Sequence, residues 1–556
     1  MNAPIVTRAP DVVMRLERMG SFHQCRLSFM RTLLRRMKTE NWRFERTSFD
    51  FTAAGVGTAV YTAITPERRY SLVAFGHDLP PEMRSDRVIA TAWDATFSLF
   101  DGVPDDADIE RLRQNVPKQE GGRISASELN LSRANRSVRM FEHVVSCLAA
   151  GQQPAADKVA EVGYLMRTTA VYGSGKFGAA DRAAIVDRPE CAGPFQLEML
   201  TVYLIRTFVM DLVEHMARLR APDSAVPLEP ALRRRFGIGN STGLGMAPFL
   251  INHPLLLNNW IAARETAIAR VRGVATADAA ECAAFRAALT RAQHQARDWR
   301  SDHPVQVEKI AALRADLDTL SARIDAGFAD AYPWDALCRW SETALSTEGQ
   351  EALASLIMEP YGRLVDDLTA TMAADEDSGF RIDGAMPVGD LRARIARHYD
   401  WALAIDWTAR DAQARAWYVS EEKLEPRLGE RFDEPIAAYE QPLSPGRDIA
   451  ALHDALTEWD ADTPLATFLL RHPEHRHSAR RVQVTCDHGF AEIRDNTIAS
   501  DMMPVDMLRC KLSFFGASHF DPRSDRWLRI NMFQNAPFPD ELPDADPDVW
   551  SYGPET

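Results

Sequence analysis

Two glycine-rich segments hold the residues of this chain that are best placed for chemistry. Residues 236–246 contain four glycines and three small polar side chains, and they follow a run of three arginines. Glycine permits positive φ and lets a ligand approach the backbone, while hydroxyls and N–H groups at a helix start bind anions. We expect this segment to contact a small anion; a turn with only a structural role is the alternative. The contacting residues would be Asn240, Ser241, Thr242 and Gly243.

The second segment, residues 172–178, lies about sixty residues upstream and contains Tyr172, Ser174 and Lys176. It resembles a P-loop only in part, because Ala170 stands where the first glycine belongs and Phe177 follows the lysine where a hydroxyl is needed. Lys176 offers a point charge or, if desolvated, a base, and the nearby Arg167 offers a bidentate fork for carboxylate or phosphate. We expect both to balance the charge of the anion, unless Lys176 is simply exposed on a turn.

A serine hydrolase is a competing interpretation of the first segment. Gly239, Ser241 and Gly243 match the G-x-S-x-G pattern, in which a strand enters a sharp turn that exposes the serine. The residues before it are basic and do not predict an apolar strand. The pattern therefore favours ligand contact by Ser241 over nucleophilic attack.

Two further residues are candidates for proton transfer. Glu198 lies in the apolar run 194–216, where a buried carboxylate either pairs with an arginine or becomes basic enough to move a proton. His253 follows the first glycine-rich segment and is preceded by Asn252. It suits acid–base work, although a histidine at a helix start often has only a capping or packing role.

Metal and cofactor motifs are weak in this chain. The most histidine-rich region contains His472, His475 and His477, but no H-E-x-x-H or paired C-x-x-C accompanies them. No G-x-G-x-x-G lies in a βαβ context either. We therefore expect no metal site, and the sequence identifies no cofactor.

Composition limits the possible partners. The chain has 556 residues and a net charge of −15, which opposes binding to nucleic acid or to an acidic membrane surface. Its seven cysteines are scattered, as is typical of reduced thiols in a cytoplasm. The most apolar run is interrupted by charges, so it predicts a buried helix and not a membrane span.

The elements that must position these residues are mostly helical. Short aromatic and β-branched runs predict three to five antiparallel strands within 41–102, and nearly everything from residue 105 to about 470 has helical character. Residues 481–493 and 527–533 read as further strands. We therefore expect a mainly α protein with a small antiparallel β portion and a helical bundle core. The predicted domains are 1–104, 105–375, 376–470 and a mixed α/β segment, 471–556, with an irregular acidic tail.

A pair of heptad stripes is the clearest architectural signal. Apolar residues recur every three or four positions from Cys282 to Trp299 and again from Ile310 to Ile324, with turn residues between them. This predicts an antiparallel helical hairpin over 276–328. The hairpin either packs inside the bundle or joins subunits into a homo-oligomer.

Together these features predict a soluble cytoplasmic enzyme that acts on a small carboxylate- or phosphate-bearing metabolite by acid–base chemistry, as a lyase, hydratase or hydrolase. The competing class is a non-catalytic helical scaffold, in which the hairpin makes subunit contacts and the glycine segments are turns.

Overall fold

The chain forms two compact units in a computed structural model. Unit 1 comprises Met1–Phe22, Gly243–Phe285 and Pro304–Lys511, and unit 2 comprises His23–Thr242, Arg286–His303 and Leu512–Thr556. The structure describes residues 7–83, 92–118, 123–168, 185, 187–242, 250–299, 301, 304–327, 333–372, 381–414, 417–419, 424–426, 441–494, 504–516, 519–521 and 528–552.

Among the described residues, unit 2 contains a nine-stranded sheet in the order β1-β2-β3-β4-β5-β6-β7-β12-β11, and unit 1 contains a three-stranded sheet in the order β10-β8-β9. The strands are β1 (Arg43–Phe51), β2 (Gly57–Ile64), β3 (Arg69–Gly76), β4 (Ala95–Asp101), β5 (Glu128–Arg136), β6 (Tyr164–Thr168), β7 (Gly237–Thr242), β8 (Trp417–Val419), β9 (Leu424–Pro426), β10 (Gln441–Leu443), β11 (His519–Asp521) and β12 (Leu528–Met532).

The described α-helices are, in chain order, Pro10–Val13, Phe29–Thr39, Asp106–Asn115, Phe141–Ala149, Ala156–Val162, Gln196–Arg220, Pro230–Arg234, Pro254–Arg272, Ala279–Asp298, Pro304–Gly327, Trp334–Ala344, Thr347–Leu356, Gly362–Val365, Val388–His398, Asp400–Leu403, Arg410–Ala414, Pro445–Thr457, Leu465–Arg471, Arg476–Asp487 and Pro504–Phe515. None of them is both long enough and apolar enough to cross a membrane.

The large sheet is covered on both faces because its strands are apolar on both. One face carries the buried side chains Val73, Phe75 and Leu131, which pack with Leu112 of the helix Asp106–Asn115. On the other face, the ring of Phe208 in the long helix Gln196–Arg220 lies 5.6 Å from the ring of Phe97. Burial of this apolar surface is the main stabilising contribution to unit 2.

Unit 1 has its own helical core. Buried apolar residues from the helices Val388–His398, Pro445–Thr457, Leu465–Arg471 and Arg476–Asp487 form one cluster. A separate ionic network fixes the N-terminal segment. There Arg8 donates to Glu265 at 2.7 and 2.8 Å and to Glu351 at 2.7 Å, and Arg264 donates to Glu351 at 2.7 Å.

The predicted fold class is wrong in its β portion. The sheet is not a small antiparallel N-terminal one, because it continues through β5, β6 and β7 into the predicted helical region and takes in the C-terminal β12. It is also mixed, since β6 and β7 run parallel. Residues 481–487 of the expected strand or hairpin at 481–493 belong instead to the helix Arg476–Asp487.

Other predictions of elements are confirmed. The strands expected within 41–102 are β1 to β4, and the strand expected at 527–533 is β12. Both heptad stripes lie on helices, Ala279–Asp298 and Pro304–Gly327, and their apolar positions are buried. No disulfide joins any of the seven cysteines, all of which are described.

Candidate functional site

One glycine-rich segment contains β7, and the other comes after β6, the strand that pairs with β7. β6 and β7 pair in parallel, with Tyr164 opposite Gly237 and Arg167 opposite Gly239. They form the one parallel pair among the described strands, and the carboxyl ends of parallel neighbours lie at the same edge of a sheet. Thr168 and Thr242 therefore lie towards the same edge; Thr168 precedes the segment 172–178 in the chain by four positions, and Thr242 lies within the segment 236–246. Tyr172, Ser174, Lys176 and Gly243 themselves lie outside the described residues.

The first segment begins as a strand and not as a turn. Gly237, Gly239, Asn240, Ser241 and Thr242 all belong to β7. A Cβ on Gly239 would lie 2.6 Å from Cγ of Tyr164, and a Cβ on Gly237 would lie 2.6 Å from a backbone oxygen. These two glycines are thus required by packing inside the sheet, because no real Cβ tolerates such contacts.

Ser241 of the G-x-S-x-G pattern is the last residue but one of β7. It lies within β7, where its backbone is paired with Arg529 of β12. The hydrolase motif requires the serine at the sharp turn after the strand. The structure thus supplies the strand that the motif needs, but with the serine one residue before its end.

Arg167 lies at the end of β6 on a polar face of the sheet. Arg167 is opposite Asn135 in β5, and Arg133 is opposite Thr96 in β4. Residues opposite one another, or two apart on one strand, share a face, so Thr96, Arg133, Asn135 and Arg167 lie together. We call these four residues the polar face, although the apolar side chains of Phe75 and Leu131 lie on the same side of the sheet. Arg167 is only 4% exposed, so its guanidinium is almost fully withdrawn from water.

Aromatic and titratable groups adjoin the polar face. The Arg133 guanidinium lies 4.1 Å from the centre of the Trp93 ring, and burial lowers the pKa of Arg133. His77 Nε2 lies 2.9 Å from the Thr96 hydroxyl, and burial lowers the pKa of His77 in spite of the nearby Asp94. Burial therefore favours the uncharged form of the His77 imidazole.

Sequence reasoning missed Thr96, Arg133, Asn135 and His77. The segment that contains Arg133 and Asn135 was expected to be helical, and its polar residues lie on both faces of β5. On the opposite face, the Asn130 amide donates to the Thr201 hydroxyl at 3.1 Å. Polar residues on both faces remove the period-2 alternation that identifies a strand.

Glu198 and Arg206 have different environments in the helix Gln196–Arg220. Glu198 is buried in the first turn, close enough to Cys191 to contribute, after burial itself and Glu190, to raising the pKa of that thiol. Arg206 is fully buried and donates to the carbonyls of Phe236, Ala536 and Arg234 at 2.7–3.1 Å. Arg206 thereby fastens the residues just before β7.

His253 and Asn252 belong to unit 1. His253 is the residue before the helix Pro254–Arg272 and is half-buried, and Asn252 is exposed. The histidine-rich region also lies in unit 1, where the rings of His472 and His475 stack against Phe468 at 4.8 and 5.9 Å. In the described part of the chain, no group of three or more His, Cys, Asp or Glu side chains is arranged to hold a metal ion.

Comparison of the chain with models of protein families, with curated proteins and with solved structures finds no match. Functional inference for this chain therefore depends on its own geometry.

Proposed function

We propose that unit 2 binds a small carboxylate- or phosphate-bearing metabolite at the carboxyl ends of β6 and β7. The observation that carries this proposal is the parallel pairing of these strands, since it brings their carboxyl ends, Thr168 and Thr242, to the same side of the sheet. Ligands of α/β sheets commonly bind outside the carboxyl ends of strands, near a change in strand order or direction. Here β6 and β7 connect through the helix Gln196–Arg220.

The charge of the polar face supports an anionic ligand. Arg167 is almost fully withdrawn from water and Arg133 is half-buried, and a buried charge interacts strongly with an opposite charge. In the proposed site Arg167 and Lys176 bind the anion. Asn240, Ser241, Thr242, Gly243, Tyr172 and Ser174 are the residues proposed to donate hydrogen bonds to the anion.

The proposed chemistry is proton transfer, as in a lyase, hydratase or hydrolase, in a cytoplasmic enzyme. Glu198 and Lys176 are the proposed proton-transfer groups of unit 2, and His77 is a third. A neutral imidazole at physiological pH accepts and returns a proton readily. His253 stays a candidate from its sequence position.

Thermal unfolding in the presence of anions tests the binding step. We expect inorganic phosphate, malonate or citrate to raise the Tm of the wild-type protein, because a ligand at about 100 times its Kd stabilises the folded state by about 2.7 kcal/mol. The shift should be lost in Arg167→Gln and Lys176→Ala. It should persist in Arg139→Gln and Lys158→Ala, which remove exposed charges of unit 2. A melt that none of these anions changes would refute the site and favour a scaffold.

A further inference from the structure

Unit 1 contains a polar cavity of about 400 Å³. Its walls come from the N-terminal helix Pro10–Val13, from the junction of the helices Val388–His398 and Asp400–Leu403, and from residues 485–494. Ligand pockets in proteins range from about 300 to 1,000 Å³, so the cavity is large enough for a small metabolite.

The inner wall of the cavity is rigid and its charges are balanced. The Tyr399 hydroxyl donates to Glu492 at 2.8 Å and lies 2.9 Å from the Thr485 hydroxyl. Arg481 donates to both oxygens of Glu492, at 2.5 and 2.9 Å, and to the carbonyl of Ile251 at 2.8 Å. The Glu492 carboxylate is therefore neutralised from within the protein and does not require a ligand.

The outer wall has one balanced pair and two charges that are not balanced. Arg494 lies 3.7 Å from Asp400. Arg397 and Asp11 also line the cavity, and among the described residues neither forms a hydrogen bond or an ion pair through its side chain. One positive and one negative group thus face the same space without pairing to each other.

His398 lies beside this pair of charges. Burial lowers the pKa of His398, and Arg397, Arg494 and Arg394 lower it further. The imidazole is therefore neutral at physiological pH and adds no charge of its own. The surroundings of His398 are positive because of these arginines, while Asp11 supplies a negative charge from the N-terminal helix.

We propose that this cavity binds a small zwitterion of the α-amino acid class, with its carboxylate on Arg397 and its ammonium group on Asp11. A guanidinium binds a carboxylate with two parallel hydrogen bonds, and a carboxylate accepts hydrogen bonds from an ammonium group. A zwitterion can contact Arg397 and Asp11 at the same time, whereas a ligand with one charge would form an ion pair with only one of them. The proposal concerns unit 1 and does not depend on the function proposed for unit 2.

Isothermal titration calorimetry with each standard L-amino acid tests this inference. We expect at least one to bind the wild-type protein, and Arg397→Gln and Asp11→Asn each to weaken that binding about tenfold or more. Two control variants, Arg392→Gln and Asp390→Asn, remove charges of the helix Val388–His398 that do not line the cavity. Both should leave amino-acid binding unchanged. Arg167→Gln should also leave it unchanged, which separates this site from the one in unit 2.

Propionate and ethylamine, each with one charge of L-alanine, complete the test. Both should bind more weakly than L-alanine if the two charges act together. The proposal is overturned if no amino acid binds at up to about 10 mM. It is also overturned if binding survives both substitutions, or depends on Arg397 but not on Asp11, since the ligand would then be a simple anion. Because Arg397 and Asp11 are exposed, neither substitution is expected to prevent folding.

Discussion

At the scale of single residues, the glycines of β7 have a different role from the one that their residue type suggested. Gly237 and Gly239 were interpreted as part of a ligand-binding turn, yet both are required by close packing inside the sheet. Arg206 satisfies its buried charge with backbone carbonyls. Residue types thus indicated where special environments occur, but tertiary neighbours decided what each residue does there.

The buried ionic network of unit 1 predicts a specific acid sensitivity. Burial alone would raise the pKa of Glu351, but Arg8 and Arg264 outweigh it and lower this pKa to about 2. In the unfolded chain the pKa of a glutamate is about 4.3. The pairing of Glu351 therefore stabilises the fold fully above about pH 4.5, and this contribution is lost as the pH falls towards about 2.

Urea unfolding at a series of pH values measures this effect. We expect the free energy of unfolding of the wild-type protein to fall over that interval, and to fall less steeply in Glu351→Gln, which cannot be protonated. Glu342→Gln changes an exposed glutamate and should keep the wild-type dependence. Parallel curves for the wild type and Glu351→Gln would contradict the role given to the network.

At the scale of elements, the helices and strands with a clear local periodicity were predicted from the sequence. The amphipathic heptads and the aromatic strands β1 to β4 are local patterns, and they were predicted. β5, β6 and β7 were not, because they are buried on both faces and carry polar residues, and because β6 and β7 are also short. The helix Arg476–Asp487 was mistaken for a strand because Val482 and Val484 alternate with polar residues, although both are buried in a helix.

A substitution in the heptad stripe of the helix Pro304–Gly327 is expected to lower the stability of the protein without changing its oligomeric state. Leu320 is fully buried, so Leu320→Ala should lower the free energy of unfolding by about 2–5 kcal/mol. Val307, on the same helix, is 47% exposed, and Val307→Ala should change the free energy of unfolding by no more than about 0.5 kcal/mol. Urea unfolding measures both variants.

Light scattering after size-exclusion chromatography gives the native mass of the same two proteins. We expect both to keep the wild-type mass, because the stripe is already buried within one chain. A Leu320→Ala variant that is as stable as the wild type but has a smaller native mass would instead support the scaffold with subunit contacts through 276–328.

At the scale of the whole molecule, both units are assembled from segments far apart in the chain. β12 pairs with β7 although nearly three hundred residues separate them in the chain. Arg8 pairs with Glu351, which is 343 residues away in the chain. Local patterns contain no information about such pairings. For the same reason the parallel arrangement of β6 and β7, on which the proposed site depends, could not be predicted from the glycine-rich segments alone.

Hydrogen–deuterium exchange with and without the anion that most raises the Tm tests the central claim most directly. We predict that the anion slows exchange in 169–184 and 243–249 together, and that Arg167→Gln abolishes both effects. Arg139→Gln should abolish neither. Protection of only one segment, or protection confined to other parts of the chain, would contradict a shared anion site at the ends of β6 and β7.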